Sequence, residues 1–426
     1  MKKRTALFLC ALTGLFVHAQ TFPAVKDSLE KLQDSLKQVT VTATRTSKDI
    51  MDVGRSVTII SNEQIKQASC GTVAELLSQQ EGIYIVGTGQ NPGAIQSLSM
   101  RGSDNNNTAI MIDGVPLNDP STDHSELDLS ELSLADVDRI EIVRGSHSTL
   151  YGSSSIGGVI NIITKKNYSP GFHVNASVTG GEFGPGTSQF DGNILLNYTL
   201  KNGLYATAGY HYYVDKGLNA TIDTFSHPLS YQMNPDNDNF NKSEPFAKLG
   251  FVNKNWDIYA EYKNIIQTAD VDGAAFKDAA DATDHFVRDF YTWGVTYKLN
   301  ESFHFSYTGS YSHDYRIYNK ALDTDVVYGY PTSEHDMYTG TYMFHDFKGE
   351  YNLKTSHFII GGGYYSESMA NSTNSYSAPY GTFNDNPDTI NFKQSTSDVY
   401  AQADINGGTF NPILNPYNLL LGARYT

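Results

Sequence analysis

A glycine-rich stretch, "LYGSSSIGGVINIITKK" at Leu150–Lys166, contains the residue types that could cradle a phosphate group. A Walker-type loop needs a lysine and then serine or threonine directly after its second glycine, between a strand and a helix. Here no lysine follows Gly157 at the required place, and the β-branched run after it predicts a strand. The sequence therefore indicates neither a phosphate loop nor a dinucleotide-binding turn.

Other catalytic or metal-binding patterns are weak in this sequence. The histidines show no pair at the spacing of a metal or haem site; they include His124, His147, His211, His227 and His313. No nucleophile, base and orienting residue stand out as a set. We therefore expect no catalytic residues, no enzyme activity and no covalently bound cofactor.

The N-terminus indicates an exported protein, and the net charge argues against a nucleic-acid-binding one. Lys2, Lys3 and Arg4 precede an apolar stretch to Val17, which His18 and Ala19 follow. This pattern is typical of an export signal and is too short for a membrane anchor. We expect cleavage after Ala19. The formal net charge of −16 argues against nucleic acid as a partner.

The pattern beyond Lys166 is typical of a transmembrane β-barrel. The chain has 29 tyrosines and 21 phenylalanines, and about eleven segments after Lys166 alternate with period 2. In "WDIYAEYKN", Trp256, Ile258 and Tyr262 share one face and Lys263 lies on the other. A β-sandwich gives the same alternation, but short turns alternating with long polar loops favour a barrel with apolar residues toward lipid.

Two further segments precede the barrel. Residues 54–166 predict a compact α/β domain, in which Ser61 with Gln64 and Thr72 with Glu75 form capping pairs that open short helices. Residues 20–53 contain "QVTVTATR", a strand-like segment with no partner strand nearby. This segment is either the first strand of the α/β domain or an extended peptide that adds to the sheet of another protein.

The motifs "LSMRG", "MIDGVPLND" and "RIEIVRGSHSTLYGSSSIGGVINIITKK" together resemble the plug domain of TonB-dependent outer-membrane receptors. The resemblance implies a bacterial outer-membrane protein, with an N-terminal α/β plug inside the lumen of a 22-stranded membrane β-barrel. By the same resemblance, the strand-like segment is a TonB box through which the TonB–ExbB–ExbD complex supplies energy; its residues are Val39, Thr40, Val41, Thr42 and Ala43. It further implies structural plug–barrel roles for Arg101, Arg144, Gly152, Gly157 and Gly158.

Within that family, "LSMRGSDNNNTAIMIDGVPLNDPS" and "NPDNDNF" resemble the cobalamin-transporter branch. This resemblance implies transport of a corrinoid, with a ferric siderophore as the alternative substrate and a surface binding protein on a barrel scaffold as the alternative class. Substrate-binding residues are expected at Asn91, Pro92, Asn118, Asp119 and Ser121. Calcium, which takes oxygen ligands, is expected at loop aspartates, namely Asp215, Asp236, Asp238 and Asp272.

The expected boundaries are a signal peptide at 1–19, a periplasmic segment with the TonB box at 20–53, the plug at 54–166 and barrel strands at 167–426. About eleven strands are roughly half of a 22-stranded barrel, so we expect the chain to be truncated and to hold the first half of the barrel. The family resemblance also implies contact with the lipid bilayer and lipopolysaccharide, and a surface lipoprotein as a further partner.

Overall fold

The computed structural model describes residues 40–42, 48–49, 56–68, 71–87, 93–122, 125–217, 237–271, 282–325, 330–377, 380–385, 391–409 and 417–426. Residues Val41–Thr426 form one compact unit, and the N-terminal unit, Met1–Thr40, contributes only Thr40 to the described residues. The expected export signal lies outside these residues. Among the described residues, no helix has the length and apolarity needed to cross a membrane.

Short helices open where the sequence predicts their caps. The helices are α1 (Asn62–Gln67), α2 (Val73–Ser78) and α3 (Ser148–Tyr151). The Ser61 side chain accepts a hydrogen bond from the backbone N–H of Gln64, whose side chain accepts one from the N–H of Ser61. Thr72 and Glu75 make the same reciprocal pair. These bonds satisfy donors that a first helical turn leaves unpaired, so both predicted capping pairs are confirmed.

The α/β domain, called the plug below, is built on a five-stranded mixed sheet. Its strands and their neighbours are β1 (Thr40–Val41), β2 (Lys48–Asp49), β3 (Val57–Ile60), β4 (Ile83–Val86), β5 (Ser97–Met100), β6 (Thr108–Ile112), β7 (Val115–Pro116), β8 (Val137–Arg144) and β9 (Gly158–Thr164). The sheet order is β3-β8-β9-β6-β7, and β4 pairs with β5 as a separate hairpin. Only the β6–β9 pair within this sheet is parallel.

The plug core forms where helices α1 and α2 pack on this sheet. All seven residues of β9 are buried, which explains why its sequence is a nearly continuous apolar run instead of an alternating one. Val73 and Leu77 of α2 and Ile140 of β8 are fully buried in the same cluster. The plug therefore supplies nearly all of this hydrophobic core, to which the second sheet adds Phe290.

A second sheet follows the plug and contains twelve strands among the described residues. They are β10 (Gly171–Gly181), β11 (Ser188–Thr199), β12 (Leu204–Lys216), β13 (Phe240–Val252), β14 (Trp256–Asp270), β15 (Ala282–Lys298), β16 (Phe303–Asp325), β17 (Tyr330–Leu353), β18 (Ser356–Ser377), β19 (Gly381–Asp385), β20 (Asn391–Asn406) and β21 (Asn418–Tyr425). Eleven of them form an antiparallel path in chain order, and the short β19 pairs with the far part of β18. The strands lengthen from 11 residues in β10 to 24 in β17.

The two faces of this sheet divide as the alternating sequence predicts. On β14, Trp256 is 39% exposed and Ile258 and Tyr262 are each 37% exposed, whereas Lys263 on the opposite face is 6% exposed. The Lys263 ammonium lies 2.7 Å from Asp136 of the plug. Apolar side chains therefore cover the outer face, and charged ones point inward toward the plug.

The two ends of the sheet differ in the length of their connections. At one end, tight turns join β11 to β12, β13 to β14, β15 to β16 and β17 to β18, the last across only Lys354 and Thr355. At the other end, longer connections follow β12 and β14. Short turns at the periplasmic end and longer extracellular loops are the rule for outer-membrane barrels. The end with tight turns is therefore assigned as periplasmic.

Candidate functional site: plug, lumen wall and TonB box

A loop of the plug, residues 118–136, carries most of the buried carboxylates of the domain and is called the acidic loop below. It faces two arginines on the inner side of the barrel wall. Arg288 of β15 approaches Glu131 at 2.6 Å and the barrel's own Asp314 at 2.6 Å. Arg316 of β16 lies 3.3 Å from Asp119. A planar guanidinium can bind two carboxylates at once, so each arginine connects the plug with the wall.

This ion cluster is fully buried and has more acids than cations. Asp119, Glu131 and Asp314 are each 0% exposed, and Arg288 is 2% exposed. Burial raises the pKa of the Glu131 carboxyl well above its ordinary value, and the neighbouring Asp119 and Asp128 raise it further, against the effect of Arg288. Burial likewise raises the pKa of Asp128. An excess of carboxylates in low dielectric favours the neutral form of at least one of them.

Lysines of the next strands hold the second half of the acidic loop. Lys242 of β13 donates to the backbone carbonyl oxygens of Ser130 and Glu131, at 3.0 and 2.6 Å. Ser133 donates to Glu244 of the same strand at 2.5 Å. Together with the Lys263–Asp136 pair, these bonds attach the plug along β13–β16.

The structure places three of the five predicted substrate residues in this interface. Asp119 accepts from the backbone N–H and the hydroxyl of Ser121, at 2.9 and 2.5 Å, and both residues are buried. The carbonyl oxygen of Asn118 accepts from Arg288 at 3.3 Å. Asp119 and Ser121 thus have partners inside the protein, and Asn91 and Pro92 lie outside the described residues. Ligand contact stays a prediction for all five.

Two of the four predicted calcium ligands lie among the residues that the structure describes. Asp215 is 1% exposed and accepts from the Tyr213 hydroxyl at 3.3 Å, and Asp238 is also buried. Asp236 and Asp272 lie outside the described residues. Within the part of the chain that the structure describes, no group of three or more His, Cys, Asp or Glu side chains is arranged to hold a metal ion. The calcium site stays a prediction.

The predicted TonB box is held against the plug sheet by one carboxylate. The backbone N–H of Thr42 donates to Glu141 of β8 at 2.7 Å, and its hydroxyl donates at 3.0 Å. Arg139 donates to the same carboxylate at 2.8 Å, and Asn161 donates to the Thr42 hydroxyl at 3.3 Å. Val39 and Ala43 lie outside the described residues. One residue of the segment is therefore bonded to the plug through its main chain.

Two of the residues with predicted plug–barrel roles are arginines. Arg144 donates to the carbonyl oxygen of Glu81 and the hydroxyl of Thr58, which both belong to the plug. Arg101 follows β5 with a positive φ of 53° and is exposed. The structure thus shows no barrel contact for Arg144 among its described hydrogen bonds, and barrel contact stays a prediction for both arginines.

The glycines of Leu150–Lys166 with predicted plug–barrel roles have different surroundings: one lies at the barrel wall and two lie inside the plug. A Cβ at Gly152 would lie 3.5 Å from the guanidinium of Arg424 on β21, so Gly152 lies at the barrel wall. A Cβ at Gly157 would lie 2.4 Å from the Ser103 hydroxyl, and one at Gly158 would lie 2.5 Å from Met100 and the Val143 carbonyl oxygen. Gly157 and Gly158 therefore permit close packing within the plug.

The sequence did not single out Arg288 and Arg316, which carry the largest buried ion cluster described. Period 2 places Arg288 on the same strand face as Phe286 and Phe290, and Arg316 on the face of Asp314. The sequence could thus have indicated these residues as arginines on the inward face of a predicted barrel strand. The identity of the plug partner of each could not be read from that signal.

Comparison with known proteins agrees with this architecture. The profile of the TonB-dependent Receptor Plug Domain matches residues 49–159. The vitamin B12 transporter BtuB of Photobacterium profundum is 34% identical over 194 residues, which cover 46% of this chain and 29% of that protein. BtuB of Vibrio cholerae serotype O1 (El Tor Inaba N16961) is 38% identical over 127 residues, 30% of this chain and 20% of that protein. The matched segments thus span less than a third of these relatives.

Two solved structures share the fold over most of this chain. The ferric citrate transporter FecA in the unliganded form superposes with a TM-score of 0.65 at 16% identity, covering 88% of this chain and 56% of FecA. The siderophore receptor PiuA from Acinetobacter baumannii gives a TM-score of 0.65 at 16% identity, covering 91% of this chain and 59% of PiuA. The expected fold class, a membrane β-barrel with an N-terminal plug in its lumen, is therefore confirmed. The chain thus contains a segment that matches the plug domain of TonB-dependent receptors, shares the fold of outer-membrane receptors of that type, and resembles vitamin B12 transporters over part of its length.

Proposed function

We propose that this receptor actively transports a scarce, bulky nutrient across the outer membrane, using energy from the TonB–ExbB–ExbD complex. The attachment of Thr42 to Glu141 on the plug carries this proposal, because a strand-like segment bonded to the plug can transmit a pull to the domain that fills the lumen. A diffusion porin has no use for a plug. A surface binding protein, the alternative class, has no use for the box.

A corrinoid is the first candidate substrate. It is supported by the identity of 34–38% to proteins named as vitamin B12 transporters, which falls on part of this chain. A ferric siderophore is the second candidate, because the Asp236-x-Asp238-x-Phe240 feature of the barrel loop suits siderophore receptors as well. The solved siderophore receptors are too distant in sequence to favour either substrate.

Calcium is proposed as an accessory ion of the extracellular loops. Asp215 and Asp238 lie at the long-connection end of β12 and β13, next to the segment that contains Asp236. Carboxylates that come from separate loops repel one another until a divalent cation joins them. Binding of calcium would therefore order these loops before the substrate arrives.

The test is uptake of radiolabelled cyanocobalamin and of a ferric siderophore by cells that depend on this receptor, with and without a protonophore. Energised transport predicts accumulation of one of them that the protonophore abolishes, while surface binding of the same ligand persists. Binding without any energy-dependent accumulation would favour the surface binding protein. Accumulation that is insensitive to the protonophore would favour a diffusion pore.

A further inference from the structure

Two cavities lie between the plug and the inner face of β17, one above the other. The upper cavity, of about 610 Å³, is lined by plug loops and by inward side chains of β17, β18 and β20, including Tyr342 and Glu367. The lower cavity, of about 400 Å³, lies between the plug sheet and β16 and β17, and its lining includes Asp346 and Lys348. Both volumes are within the range of roughly 300–1,000 Å³ that is usual for ligand sites.

The order of residues along β17 shows how the cavities are stacked. Alternate residues of a strand share one face, so Tyr342, Phe344, Asp346 and Lys348 point inward in succession. Tyr342 lines the upper cavity, Asp346 and Lys348 line the lower one, and Phe344 lines both. Because β17 runs from the long-connection end toward the tight turn at its other end, this order descends from the extracellular to the periplasmic side. Phe344 therefore lies where the two cavities meet.

The plug contributes one aromatic side chain at the same level. Tyr151, the last residue of α3, also lines both cavities. It is followed by Gly152, whose φ of 82° ends the helix. Phe344 is 6% exposed. Phe344 from the wall and Tyr151 from the plug thus occupy the level that separates the cavities.

Along strands β13–β16, buried ion pairs bind the plug to the barrel wall. Along β13–β16 the acidic loop is bound by Arg288 at 2.6 Å from Glu131 and by Lys263 at 2.7 Å from Asp136. Separating such buried pairs is costly because each partner is left as an uncompensated charge. Along the lower part of β17, the two cavities leave open volume between plug and wall, and this volume gives a solute room to pass.

The lower cavity leads to the energised end of the plug. Its lining contains Thr42 of the predicted TonB box, together with the charged side chains Arg139, Lys166 and Lys348 and the carboxylates Asp113 and Asp346. A lining of this kind is hydrated and suits a polar solute. The barrier between the cavities, in contrast, is aromatic, and apolar constrictions close pores by excluding water.

We propose that the solute path follows the inner face of β17 and that the side chains of Phe344 and Tyr151 form the barrier that closes it. This inference rests on the proposed transport function. A shift of α3, which ends at Gly152, breaks the hydrogen bond from Arg424 to the Leu150 carbonyl oxygen, carries Tyr151 away from Phe344 and joins the cavities. The plug then opens along one wall while its ion pairs to β13–β16 stay intact.

The test is the passive conductance of purified receptor in planar bilayers, without ligand or energy. Phe344→Ala and Tyr151→Ala should each raise the small-ion conductance at least severalfold over wild type, and the double variant should raise it further. Tyr342→Ala is the matched control, because this aromatic residue is inward-facing and buried on the same strand but lines only the upper cavity. It should leave the conductance unchanged. Equal conductance of the Tyr342 and Phe344 variants would overturn the assignment.

Cysteine labelling provides a second readout in intact cells that lack diffusion porins. In a Cys70→Ser background, Thr308→Cys reports on the lower cavity and Gln394→Cys on the upper one. An impermeant thiol reagent added outside should label Gln394→Cys in every background but Thr308→Cys only when Phe344→Ala or Tyr151→Ala is also present. Failure to label Thr308→Cys in both alanine backgrounds would refute the path. Neither readout needs uptake. If the alanine variants conduct ions while the receptor transports no substrate, this inference holds and the proposed function fails.

Discussion

The guanidinium of Arg288, on the inner face of β15, lies 2.6 Å from the carboxylate of Glu131 in the plug. The same guanidinium contacts Asp314 of the neighbouring strand at 2.6 Å, and all three side chains are buried. One cation therefore joins the plug to two strands of the wall. Carboxylates surround the Arg288 guanidinium. Removal of this cation should therefore weaken the attachment of the plug, whereas protonation of a carboxylate beside it should strengthen that attachment.

Replacement of Arg288 by methionine should strongly destabilise the plug in the barrel. Glu131 and Asp314 would then be buried without their cation, and breaking a buried pair in this way typically costs about 3–5 kcal/mol. The measurement is urea-induced release of the plug, followed by protease sensitivity of the receptor. Lys254→Ala, in the exposed turn before β14, is the control and should behave as wild type. Equal urea midpoints for both variants would show that Arg288 does not hold the plug.

The attachment of the plug should weaken as pH rises above the ordinary carboxyl range. Burial raises the pKa of Glu131 well above its ordinary value of 4.5, so the folded state binds this proton more tightly than the unfolded state does. The stability from the bound proton is complete below the ordinary pKa and is lost as pH rises through the raised one. Glu131→Gln, which stays neutral, should flatten the dependence of the urea midpoint on pH. An unchanged pH profile in this variant would contradict the prediction.

Deletion of residues 39–43 should abolish energised uptake and leave ligand binding at the cell surface intact. The segment is the strand-like peptide ahead of the plug, and Thr42 is its described contact with that domain. The measurement compares uptake and surface binding of the labelled substrate in one strain. A deletion of equal length at residues 26–30 serves as the control. Uptake by the box deletion at the wild-type rate would refute the box assignment.

Calcium should raise the affinity of the receptor for a corrinoid. If bridging of Asp215, Asp236 and Asp238 orders the loops in advance, each side chain already immobilised saves about 0.5–1.5 kcal/mol on binding. Several such residues give an effect on the order of tenfold or more. Asp236→Ala combined with Asp238→Ala should remove the calcium dependence and leave the calcium-free affinity nearly unchanged. Equal corrinoid affinity of the wild type in calcium and in chelator would exclude this mechanism.

Gly158→Ala should impair assembly of the receptor, whereas Gly184→Ala should not. A Cβ at Gly158 would lie 2.5 Å from the Val143 carbonyl oxygen, and its φ of 155° disfavours other residues. Strain of this kind costs on the order of 1–3 kcal/mol. Gly184 has open space around it and serves as the matched control. The measurement is the amount of protease-resistant receptor in outer-membrane fractions, and equal amounts of both variants would contradict the packing role.

Local chemistry explains why parts of this fold were predictable from sequence. The capping pair of Ser61 and Gln64 involves residues three positions apart, and the alternation on β14 depends only on the pleat of one strand. Both are short-range properties, and both appear in the structure as expected. The resemblance of the glycine-rich stretch to plug domains likewise identified a domain that the fold confirms.

The contacts across the lumen could not be predicted in the same way. Period 2 indicates that Arg288 and Phe344 face inward, but it does not say which plug residue each one meets. That choice depends on how the plug is rotated in the barrel, which the packing of many residues determines together. The buried position of Asp119 has the same cause, because its sequence neighbourhood is polar and turn-like and would suit a solvent-exposed loop equally well.

The lengthening of the strands makes the two sides of the barrel sheet differ in height. A strand needs about 9–11 residues to cross a membrane. β10, with 11 residues, matches this length, and β11 and β12, with 12 and 13 residues, exceed it only slightly. β16, β17 and β18 have 23, 24 and 22 residues and share the same periplasmic end. Among the described residues, the hydrogen-bonded rim thus slopes, and its high side stands well above the lipid. On this side of the receptor, the surface beyond the membrane therefore consists of hydrogen-bonded β-sheet from β16, β17 and β18.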